Sequence, residues 1–150
     1  MTWLVIGIGN TLRRDDGLGA WLALQIAEWR LPSVTTCVVR QLTPELVIEI
    51  AKHDRVLFLD ASELENSPRM LEVEPTTGVN RLGHAFSPED LLALTDRLGI
   101  RRPRAWMVAV AGSDFGFGEG LSADAERSGR EVLADIGKLL RENKLCPKSV

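Results

Sequence analysis

Short apolar runs alternate with segments of helical hydrophobic spacing, and this alternation limits the fold more than any other feature of the chain. The first run, Thr2 to Gly7, is apolar almost throughout and stops at a glycine. Continuous runs of this kind belong to strands buried on both faces, as in parallel sheets covered by helices. Further runs at Thr35 to Gln41, Arg55 to Leu59, Met70 to Val73 and Ala105 to Ala111 predict more strands, the one from Arg55 ending at Asp60. Between them, Leu18, Trp21, Leu22, Leu24, Ile26 and Ala27 recur at helical spacing, as do Leu46, Val47, Ile50 and Ala51, and then Leu91, Leu92, Leu94 and Leu98. Thr43-Pro44-Glu45 and Ser87-Pro88-Glu89-Asp90 read as helix starts, a hydroxyl N-cap followed by proline where no amide bond is lost. Ser122 opens a terminal helix to about Glu142. The expectation is an α/β protein: residues 1–150 as one three-layer domain, a mostly parallel sheet of about five strands with helices on both faces, and a polar tail at about 143–150.

Composition narrows the partners. A net charge of −3 argues against nucleic acid, because phosphate contacts need clustered Lys and Arg. Arg13–Arg14 and Arg101–Arg102–Pro103–Arg104 read as solvated loop charges. No apolar run approaches the roughly 20 residues that span a bilayer. Trp3-Leu4-Val5-Ile6 follows the first residues without a basic leader, and Cys37 and Cys146 do not form a disulfide pattern, so a cytoplasmic protein is expected.

Ligands of parallel sheets bind beyond the carboxyl ends of the strands. The first loop there, Gly7 to Gly19, superficially resembles a dinucleotide fingerprint. Asp15 and Asp16 would repel a phosphate, and the helix begins too late for its amides to reach one, so no nucleotide cofactor is expected. The two aspartates can be read as an N-cap and a first-turn carboxylate, or one of them is free for other chemistry. Asp60 is either a loop cap or a site acid, and His84 either a solvated loop residue or a ligand. His53, at a helix end, reads as a dipole partner. Two carboxylates and an imidazole would suit a borderline divalent metal with open positions. There is no Gly-x-Ser-x-Gly elbow, no His-Glu-x-x-His helix and no cysteine near a histidine in sequence.

Ile6-Gly7-Ile8-Gly9-Asn10-Thr11-Leu12 followed by Asp15-Asp16-Gly17-Leu18-Gly19 resembles the opening signature of the hydrogenase maturation proteases. Phe58-Leu59-Asp60-Ala61, His84 before a leucine-rich helix, Gln41 to Leu46 and Phe115 to Ser122 extend the resemblance over nearly the whole chain. It implies an endopeptidase that removes the C-terminal extension of a nickel-iron hydrogenase large-subunit precursor after nickel insertion. It further implies that Asp16, Asp60 and His84 are the metal-binding and catalytic trio, with nickel supplied by the precursor. The tail would lie in a groove lined by the Gly9–Asn10 and Gly116–Gly120 loops, Gly118 among them, and the loop of Thr43 would help receive it. Two departures are Asp16 where relatives often carry Glu, and Gln41-Leu42-Thr43 where they commonly carry Gly-Gly-Thr. The alternatives are a nickel-binding accessory that does not cut, and another hydrolase on the same fold such as peptidyl-tRNA hydrolase. No membrane partner is expected, and the protein is taken as monomeric.

Overall fold

A computed structural model of the chain describes residues 1–65, 69–77 and 85–142. The expected His84 ligand, the loop leading to it and the polar tail with Cys146 lie outside the described residues. The elements run in the order β1 (Trp3–Ile8), a 3-10 turn (Arg14–Gly17), α1 (Leu18–Glu28), β2 (Val34–Val39), α2 (Leu46–Ile50) and β3 (Arg55–Ser62). They continue with β4 (Arg69–Val73), α3 (Pro88–Arg97), β5 (Arg104–Ala111) and α4 (Ala123–Glu142). One five-stranded sheet holds them in the order β2-β1-β3-β5-β4. The first four strands of that order are parallel, and β4 joins the edge antiparallel to β5.

The expected three layers are present. Leu18, Leu22 and Ile26 of α1 and Val132, Ile136 and Leu139 of α4 pack with Val5, Leu57, Leu59 and Val108 on one face. Val47 and Ile50 of α2 and Leu91 and Leu92 of α3 pack with Leu4, Ile6, Val56 and Phe58 on the other. β1 is buried at every position because alternate side chains enter both clusters. Each such large aliphatic side chain contributes about 1.5–3 kcal/mol when fully buried. At the amino edge of the sheet the Arg55 guanidinium lies 5.4 Å from the Trp3 ring and 5.9 Å from the Trp106 ring, so these indoles are core packing.

Two helix starts behave differently from each other. At α3 the capping box forms: Ser87 Oγ accepts from the Asp90 amide at 3.1 Å, and Asp90 Oδ2 accepts from the Ser87 amide at 2.9 Å. Ser87→Ala should therefore lower stability by about 1 kcal/mol, read as a lower urea midpoint at unchanged slope. At α2 the expected Thr43 N-cap does not form. The helix is only Leu46–Ile50, its N-cap is Glu45, and no side chain caps it. Thr43 and Pro44 instead offer their carbonyls to Leu46 and Val47 in a tight i to i+3 turn, and the Thr43 hydroxyl bonds the Glu45 carboxylate. Arg13 and Arg14 are also more than solvated charges: Arg13 donates to the Phe115 carbonyl at 3.3 Å, and Arg14 pairs with Asp114 at 3.5 Å. Arg101, Arg102 and Arg104 pair with Asp54, Asp96 and Glu72.

Candidate active site

Strands β1 and β3 lie side by side in parallel, so the residues at their carboxyl ends are neighbours. After β1 the chain turns at Gly9, whose φ of 139° disfavours any side chain. A Cβ there would lie 1.8 Å from the Asp16 carbonyl oxygen. Glycine at this position thus lets the Arg14–Gly17 turn close onto the end of β1. Gly19 does the same one turn later, since a Cβ on it would lie 2.4 Å from the carbonyl oxygens of both Ile8 and Leu59. These close approaches seat the start of α1 above the strand that carries Asp60.

Asp16 is partly buried, and its Oδ2 accepts from the Asn10 amide at 2.8 Å. Asn10 shapes the loop further, its Oδ1 accepting from the Leu12 amide at 3.0 Å. Asp16 is not a helix cap: the N-cap of α1 is Gly17, with no side-chain bond. Asp60 lies inside β3, opposite Ala109 of β5, and not at the strand end as expected. The strand runs on to Ser62 because the β5 ladder continues beside it to Ala111. Burial pushes the Asp60 carboxyl up to about 6, and the negative charge of Asp16 pushes in the same direction. The Ala61 amide, 2.8 Å from Asp60 Oδ1, opposes them only in part. The charge of Asp16 is therefore felt at Asp60.

Both line one cavity of about 320 Å³, together with Gly9, Arg40, Leu42 and Phe86. A bridge between Leu42 and Phe86 joins the loop after β2 to the segment before α3 and closes one side. Ala85, which follows His84 directly in the chain, also lines this cavity. Among the described residues no group of three or more His, Cys, Asp or Glu side chains is placed to hold a metal ion. Asp16 and Asp60 supply two oxygen donors whose mutual repulsion a cation would relieve, so this pair fits a divalent ion that brings or finds further ligands.

Asp15 does different work. It is fully buried, and its Oδ2 accepts from the Ser113 amide at 2.8 Å, the Asp114 amide at 2.9 Å and the Ser122 hydroxyl at 2.7 Å. Its Oδ1 accepts from the Ser122 amide at 2.7 Å. Burial alone would raise its pKa, but the amides of Ser113, Ser122 and Asp114 and the Ser122 hydroxyl more than offset that, so the carboxyl lies below its ordinary value. Asp15 thus ties the first loop to the loop between β5 and α4.

The other expected contact residues divide. Gly9 lines the carboxylate cavity, while Asn10 shapes its wall from behind through the bond to Asp16. Thr43 is partly buried next to Leu42, which lines the cavity. Gly118 pairs with the first loop, its amide donating to the Leu12 carbonyl at 2.9 Å and its carbonyl accepting from the Arg14 amide at 3.0 Å. Its neighbour Gly120 borders a second cavity of about 240 Å³ with Thr11, Arg14, Gly17, Trp21 and Leu121, which shares no lining residue with the first. Arg40 was not singled out from the sequence. The expected second strand runs to Gln41 and so keeps Arg40 inside it, whereas β2 ends at Val39 and leaves Arg40 at the carboxyl edge.

Solved structures share this architecture. The hydrogenase maturating endopeptidase HybD of E. coli superposes with a TM-score of 0.72 at 21% identity, over 100% of this chain and 97% of that one. This is the fold of the hydrogenase maturation proteases. The [NiFe] hydrogenase maturation protease HycI of Thermococcus kodakarensis KOD1 gives a TM-score of 0.70 at 21% identity, covering 93% of this chain and 92% of that one. An endopeptidase from Escherichia coli solved in solution gives 0.71 at 22% identity, over 100% and 97%. No family model matches the chain, and no curated protein matches it in sequence. In this chain Asp16 and Asp60 line one cavity at the carboxyl edge of that fold.

Proposed function

We propose that this chain is an endopeptidase that removes the C-terminal extension of a nickel-iron hydrogenase large-subunit precursor once nickel has been inserted. The observation that carries the reading is the Asp16–Asp60 carboxylate pair in one cavity at the carboxyl edge of the sheet, on the fold that maturation endopeptidases use. Asp16 and Asp60, which line the cavity, and His84, which precedes Ala85 in the chain, would hold the nickel of the precursor. Nickel held there would supply Lewis-acid polarisation of the scissile carbonyl or of a water molecule. Alternatively, with the nickel serving only for recognition, a carboxylate of the pair would take a proton from the attacking water and pass it to the departing amine. Leu42 and Phe86 give the tail an apolar wall. The work is expected in the cytoplasm.

The test is direct. Purified protein is mixed with nickel-loaded precursor, and loss of the tail is followed by mass spectrometry. The wild type should release the tail, metal-free precursor should stay intact, and Asp16→Ala or His84→Ala should lose about 100-fold or more in rate. Full cleavage by the Asp16→Ala, His84→Ala double variant would sink the proposal.

A further inference from the structure

The carboxylate cavity is not uniformly acidic. Arg40 follows β2 and lines the cavity with Asp16 and Asp60, yet it makes no ion pair with any described residue. Its backbone is held on both sides. The Gly9 amide donates to the carbonyl of Val39 at 3.0 Å, and the Leu42–Phe86 bridge fixes the chain two residues further on. Arg40 is exposed, while Asp16 and Asp60, which line the same cavity, are partly buried. The result is a cavity with two poles, one that accepts a cation and one that accepts an anion. A guanidinium presents a planar fork of donors that matches a carboxylate in two parallel bonds.

We infer that Arg40 is a specificity-determining residue that binds a carboxylate carried by the peptide tail this chain removes. The inference rests on the peptidase reading and names what that reading leaves open, the chemical class of tail preferred. The carboxylate has two sources, an Asp or Glu side chain near the scissile bond or the terminal carboxylate of a short tail. An anionic tail would otherwise be repelled by Asp16 and Asp60; Arg40 offsets that repulsion at the entrance and sets the direction in which the peptide lies.

The experiment compares wild type with Arg40→Glu, an exposed substitution expected to leave the melting temperature unchanged. On nickel-loaded precursor with its natural tail, Arg40→Glu should lower kcat/KM about tenfold, mainly through KM. Replacing the tail's acidic residues by Lys should restore cleavage by Arg40→Glu and impair the wild type. If their neutral amides slow the wild type equally, the side chains are the source; if only a Gly–Ser extension slows it, the terminal carboxylate is. Cleavage by Arg40→Glu within about twofold of wild type overturns the inference. A labelled synthetic tail peptide, followed by fluorescence anisotropy, needs no cleavage. It should bind Arg40→Glu about tenfold more weakly at low salt. Uncut precursor with Arg40-dependent peptide binding would defeat the peptidase reading and keep the Arg40 assignment. Equal binding by both proteins, or none by either, overturns it.

Discussion

Replacing Asp15 by asparagine is expected to lower folding stability by about 3–4 kcal/mol, because several buried donors lose a charged acceptor at once. The amides of Ser113, Asp114 and Ser122 and the Ser122 hydroxyl all converge on this carboxylate. Asparagine keeps one oxygen and turns an NH2 group toward donors it cannot satisfy. Urea unfolding measures the loss, and amide exchange should show Ser113, Asp114 and Ser122 opening first. The pH dependence has a definite sign. A carboxyl whose folded-state pKa lies below the ordinary 3.8 adds stability above 3.8, and that stability is lost as pH falls through the lower folded value. The variant should lack this acid-sensitive contribution. A loss under about 1 kcal/mol would show that the loop between β5 and α4 does not depend on Asp15.

Asp60→Asn should do the reverse, stabilising the fold while removing the activity. The carboxyl has an ordinary pKa of 3.8 and a folded value of about 6, raised by burial and by Asp16. Between those values the folded state binds more protons than the unfolded chain, so wild-type stability falls as pH rises from about 4 to about 6. Asparagine cannot ionise and can still accept from the Ala61 amide, which lies 2.8 Å from Asp60 Oδ1. At pH 7 the variant should be more stable by about 1–2 kcal/mol, and its stability should not decline over that window. Cleavage of nickel-loaded precursor should be lost in the same protein. A side chain whose removal strengthens the fold but stops the reaction is kept for function at a cost in stability. A lowered melting temperature at pH 7 would show that Asp60 is a structural acid.

The two aspartates of the first loop show how far sequence reading reached. Both Asp15 and Asp16 stand where a helix begins, and local rules assign each of them the same roles of cap or first-turn charge. The structure puts both in the 3-10 turn before α1, caps α1 with neither, and gives each a distant partner. Asp15 faces partners about a hundred positions away in the chain, and Asp16 faces Asp60. No spacing rule separates two adjacent acids whose partners lie on different elements. Asp60 shows a smaller gap: its strand was legible, but not its length, because β5 continues alongside and offers hydrogen bonds past the apolar run. Ser87 is the opposite case. Its capping box involves residues three apart, so the motif could be read in full before any coordinates.

The sequence by itself determined the α/β class, the parallel core strands and the α3 cap, because these follow from hydrophobic period and from bonds between near neighbours. Only the tertiary structure decided that β4 runs antiparallel at the edge, that Asp15 is a loop tie, and that Asp16, Asp60 and Arg40 share one cavity. Those outcomes depend on which distant segments meet, and that is set by the packing of helices on the sheet and by the close backbone approaches at Gly9 and Gly19.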